Sequence, residues 1–89
     1  MPDIDVDADQ LINFIRTFEH FQQDMQTRMR SVHVAWSACH ESWRGATAND
    51  FTKGFEEIVV TLENAQTSGD KALHWLQRYY EIVSEFDKL

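Results

Sequence analysis

The chain has 89 residues, with 15 acidic against 8 basic side chains and a formal charge of −7. That is room for one domain, and the charge excludes sequence-independent nucleic-acid binding, which needs clustered Lys and Arg to release counterions. It also argues against docking on anionic membranes, and no apolar run approaches the length that membrane insertion requires; the longest is Ile58-Val59-Val60.

Residues 1–6 read as an extended lead-in, with Pro2 and alternating Asp. The first ten residues carry four Asp and no basic side chain, so no cleavable leader is expected. Asp7 or Asp9 suits a helix N-cap, where a carboxylate meets free amides and the positive end of the dipole.

From Leu11 the apolar residues recur as Phe14, Phe18, Phe21, Met25, Met29, Val32, Trp36, Cys39 and Trp43. Steps of three and four describe one stripe on one helix, expected over about residues 8–41. Cys39 lies on that stripe and reads as a small buried hydrophobe; a lone cysteine also excludes an internal disulfide.

The strongest break comes at Trp43-Arg44-Gly45-Ala46. A Gly just past a periodic run is the usual helix stop, because it tolerates a left-handed backbone. The turn is expected at 42–46. Thr47, with Asp50 three residues on, reads as the cap of a second helix over about 47–87.

The stripe then resumes at Phe51, Phe55, Ile58, Leu62, Ala65, Gly69, Ala72, Leu76, Tyr79, Val83 and Phe86. Its phase runs unbroken through Thr67-Ser68-Gly69-Asp70, so that segment reads as helix and not as loop. A helical Gly costs about 1 kcal/mol, which packing can offset.

Folding back at Gly45 sets Ala65, Gly69 and Ala72 opposite Met25, Phe21 and Phe18, and Phe51 and Phe55 opposite Cys39 and Trp36. Small residues thus face bulky ones. The expected core of the hairpin is Phe14, Phe18, Phe21, Met25, Met29, Val32, Trp36, Phe51, Phe55, Ile58, Leu62, Gly69 and Leu76.

Apolar residues remain beside the stripe, and two helices cannot bury them all. Ile12, Ile15, Val59, Leu73, Trp75 and Tyr80 are therefore assigned to an interface with a second copy; Ile82 lies with them. The expected architecture is all-α: an antiparallel two-helix hairpin dimerising into a four-helix bundle.

No catalytic or metal site is expected, and no cofactor. His33 and His40 are two helical turns apart, about 10 Å along the axis, too far to share an ion. His20 and His74 have no ligand-spaced neighbour. Acidic pairs such as Glu56-Glu57 and Glu81 with Glu85 read as solvated helix faces, since a carboxylate dyad needs a cleft. There is no phosphate loop and no nucleophile elbow. An enzyme is not expected. Trp36 reads as core, Trp75 as an interface anchor, and Trp43 either as a cap on the core or as an exposed docking edge.

Trp43-Arg44-Gly45-Ala46, with Ala48 and Phe51 following, resembles the Trp-x-Gly turn of the small WXG proteins. These are relatives of the early secreted antigenic target and culture filtrate antigen of mycobacteria, also called Esx proteins. The resemblance spans the chain and implies a dimerising helical hairpin exported by a type VII (ESX-like) secretion system. It implies that Trp43 and Gly45 form half of a bipartite export signal, beside the C-terminal helix end of a partner. The family's other half, Tyr-x-x-x-Asp/Glu, is not met: Tyr79 leads to Val83 and Tyr80 to Ser84.

The resemblance implies a substrate or co-secreted partner, cytoplasmic before export. The alternative is a cytosolic adaptor or chaperone holding a larger secreted effector. A homodimer is the expected assembly; a heterodimer with a second WXG-type protein stays open, as does contact with a secretion ATPase or larger effector.

Overall fold

The computed structural model describes residues 5–87. Of the lead-in expected over residues 1–6, residues 1–4 lie outside these. Two helices account for nearly all the rest: α1 over Ala8–Ser42 and α2 over Ala46–Asp87. They lie antiparallel in a rod 66 × 20 × 14 Å, with a radius of gyration of 19.7 Å. A compact domain of this length has a radius near 12 Å.

The ends of α1 follow from local chemistry. Asp7 is the N-cap; its Oδ1 accepts from the amides of Asp9 (2.9 Å) and Gln10 (3.2 Å). Four orphan amides open every helix, and the carboxylate satisfies two of them here while meeting the dipole's positive end. At the other end Trp43 turns extended (φ −102°, ψ 110°) and Gly45 takes φ 111°. The Gly45 carbonyl accepts the Asn49 amide at 3.1 Å, so α2 begins at Ala46. Thr47, expected as the cap, therefore sits inside the first turn, because Gly45 already supplies the outermost carbonyl.

Threonines are poor helix formers, yet five lie in these helices with their hydroxyls donated to the carbonyl four residues back, among them Thr17, Thr27, Thr61 and Thr67. That bond hides the polar group locally and lets the helix continue. α2 runs through Gly69 without interruption.

Packing between the helices falls into three zones. At the terminal end Leu11, Ile15, Leu73 and Val83 are buried, with Ile12, Phe18, Leu76, Tyr79 and Tyr80 packed against them. Near the middle, Gln22 is buried and joins the helices by hydrogen bonds. At the turn the contact is aromatic: Trp36 lies 5.2 Å from Phe51 and 5.1 Å from Phe55, ring centre to ring centre.

The faces that meet differ from those expected by one residue. On α1 the buried positions are Leu11, Ile15 and Gln22, while Phe14 and Phe21 are 51% and 60% exposed. On α2 Leu73 is buried, while Ala65 and Ala72 are exposed. Each helix carries two apolar stripes that share every second member and differ by one residue, or 100°, at the others. The hairpin closes on the stripe containing Ile15, Gln22, Gln66 and Leu73. Phe14, Phe21, Val32, Phe51, Ile58 and Leu62, expected in the core, are instead 36–60% exposed.

Ile15 and Leu73 correct the expectation in the other direction. Both were assigned to an interface between copies, and both are buried inside one hairpin. Ile12 and Tyr80 likewise pack on that internal cluster.

Candidate functional site: the turn and an open apolar face

Two features stand out, and the turn is the first. Trp36, on the last turns of α1, stacks on His40 (5.1 Å, 29°) and meets Trp43 edge-on (6.1 Å, 80°). Trp43 in turn lies 5.5 Å from Phe51. Ala48, in the first turn of α2, is buried as well. The Arg44 guanidinium donates to the His40 carbonyl at 3.1 Å, and Ser42 Oγ donates to the Cys39 carbonyl at 3.3 Å. Both bonds satisfy carbonyls that the end of α1 leaves orphaned. Trp43 is half-buried, so it caps the aromatic cluster with part of its surface and leaves the rest to solvent.

Gly45 is what makes the reversal compact. Its positive φ lies where side chains are strained, although nothing crowds the space a Cβ would occupy. The demand for glycine is thus purely conformational.

Cys39 is exposed, against its expected burial. The contact face here passes through Trp36, His40 and Trp43, in steps of four and three, and Cys39 falls beside it. His40 owes its half-burial to the Trp36 ring. Among the described residues no group of three or more His, Cys, Asp and Glu is placed to hold a metal ion.

The second feature is the apolar surface. Between the glutamine contact and the aromatic cluster the two helices line an open groove of about 810 Å³. Met25, Met29, Phe55 and Val59, all half-buried, line it, together with the open residues Phe21, Val32, Ile58 and Leu62. Both helices therefore present apolar flanks to one opening. Phe51 and Phe86 extend the exposed apolar set on α2 towards both ends of the rod. Trp75 is 63% exposed and stacks on Tyr79 at 5.4 Å; Ile82 is exposed as well.

The total accessible surface is 7091 Å². A folded monomer of 10.5 kDa exposes about 5,400 Å². The excess, about 1,700 Å², falls within the share that each subunit hides in an obligate dimer, about 1,000–2,500 Å². Exposed apolar side chains grouped along one opening mark an interaction site. Among the described residues no helix is long and apolar enough to cross a membrane.

Sequence spacing placed these aromatics on one face of each helix but missed Gln22 and Gln66, which carry the contact at mid-rod. Their only signal was polar residues at heptad spacing from Ile15 and Leu73. No family model, curated protein or solved structure matches the chain.

Proposed function

We propose that the chain is a non-enzymatic WXG-type, Esx-like protein that works through helical dimerisation, as a substrate or co-secreted partner of a type VII (ESX-like) secretion system. The observation that carries the reading is the placement of Trp43-x-Gly45 at the sole reversal between two long helices, on a hairpin whose apolar flanks are uncovered. In this reading a second copy lays its helices along Phe21, Val32, Ile58 and Leu62, completing a four-helix bundle. The excess surface supports that occupant, since one further hairpin suffices to cover it. Trp43 and Gly45 form the exposed half of the export signal. A co-exported protein supplies the acidic C-terminal half, because neither Tyr79 nor Tyr80 is followed by Asp or Glu at the required spacing.

The experiment is a secretion assay with Trp43→Arg. Loss of export, with helicity and oligomeric mass unchanged, supports the reading; export that continues undiminished overturns it. The missing acidic position also favours a second reading, a cytosolic adaptor or chaperone for a larger secreted effector. There the chain is never found outside the cell, and Trp43→Arg changes only its grip on that effector.

A further inference from the structure

We propose that Gln22, Gln66 and Gly69 form a rotational lock that decides which of two apolar stripes closes the hairpin, and therefore which face is left for a partner. The lock stands on the hairpin alone; its consequence for the partner rests on the reading given above.

The choice is a real one. The alternative arrangement turns each helix by one residue and sets Phe21 against Gly69, Phe18 against Ala72 and Met25 against Ala65. It would bury more aromatic surface than the observed one, and bulky side chains would meet small ones throughout. Apolar burial alone does not select the face that contains a glutamine.

What selects it is a set of polar contacts that only this rotation satisfies. Gln22 Nε2 donates to the Gln66 carbonyl at 2.9 Å and to Asp70 Oδ1 at 3.1 Å. Gln66 Nε2 donates back to the Gln22 carbonyl at 3.1 Å. Gly69 makes the space: a Cβ there would overlap the Gln22 amide, with Cδ and Oε1 each 2.7 Å away. Turn α1 by 100° and Gln22 leaves the interface, so all three bonds are lost together.

The set is also incomplete. Gln66 Oε1 is buried without a hydrogen-bond partner. A single buried polar pair of this kind fixes register in coiled helices at a cost in stability. The result is that Phe14 and Phe21, the bulkiest residues of their turns, stay outside.

The full chain tests this in two ways. Gly69→Ala is expected to lower the thermal midpoint when Gln22 is present, because the methyl expels the amide from its bonds. On a Gln22→Ala background the same change is expected to raise the midpoint, since alanine is the better helix former and the space is vacant. A rise on both backgrounds overturns the lock.

The face is read by thiol labelling of a Cys39→Ser chain at concentrations that keep it dissociated. With both glutamines present, Phe14→Cys is expected to react at least about tenfold faster than Ile15→Cys, which must await local opening. In Gln22→Ala/Gln66→Ala, which removes the hydrogen bonds without adding apolar bulk to that face, the ratio is expected to collapse towards one or invert. An unchanged ratio overturns the lock, whatever the oligomeric state. A wild-type chain that never dimerises overturns the earlier reading and leaves both measurements intact.

Discussion

Gln22 and Gln66 exchange side-chain-to-carbonyl hydrogen bonds across the hairpin, 2.9 Å in one direction and 3.1 Å in the other. This reciprocal pair divides the rod. On the terminal side lies an internally packed cluster around Ile15 and Val83, each at most 1% exposed. On the turn side lies a groove with apolar flanks. The terminal side holds a buried cluster of its own while Phe14, Trp75 and Ile82 stay exposed around it, and the turn side is open along its apolar flanks.

That division separates two kinds of mutant. Ile15→Ala removes three carbons from the closed cluster and is expected to destabilise the hairpin by about 3 kcal/mol. Phe21→Ser alters a side chain that is 60% exposed, so the isolated hairpin keeps its helicity. Its expected effect is on association: circular dichroism at low concentration stays as in the wild type, while sedimentation shifts towards the single chain. Equal loss of helicity in both variants would remove the distinction.

Gly45→Ala probes the reversal. No neighbour blocks a methyl there, so the cost comes only from holding alanine at φ 111°, about 1–3 kcal/mol. The melting transition should move down by that amount. An unchanged midpoint would mean that the turn reaches the same fold with a different backbone.

Asp7→Ala removes the acceptor for the Asp9 and Gln10 amides. A loss of about 1 kcal/mol is expected, with Asn substitution restoring most of it, since the bond and not the charge carries the larger part. Amide exchange should quicken at residues 9 and 10 and stay unaltered beyond the second turn.

Much of this architecture is legible in the residues themselves. Steps of three and four mark both helices, the phase of the stripe carries α2 through Gly69, and Gly45 marks the reversal. The antiparallel pairing is close too: Phe55 meets Trp36, and Gly69 lies against Gln22, one residue from the Phe21 expected there. What spacing does not give is rotation about the helix axis. Leu11, Phe18 and Met25 belong to both stripes of α1, so periodicity alone cannot choose between Phe14 and Ile15, or between Phe21 and Gln22.

Hydrophobicity points to the phenylalanines, and the chain does the opposite. A buried glutamine is discounted in any pattern of apolar residues, because its worth depends on partners 44 and 48 positions away. The same one-residue turn moved Ile15 and Leu73 inwards from the expected interface. Cys39 misled for a related reason, since near the bend the contact passes to aromatic rings and its own position drops out of line.

Sedimentation equilibrium of the wild-type chain, expressed alone and followed over micromolar concentrations, bears on the uncovered apolar flanks without any substitution. A mass of twice 10.5 kDa, with a helical spectrum throughout, is the expected result. A stable, fully helical species of 10.5 kDa would contradict it, for the exposed faces of Phe21, Val32, Ile58 and Leu62 would then need no second chain.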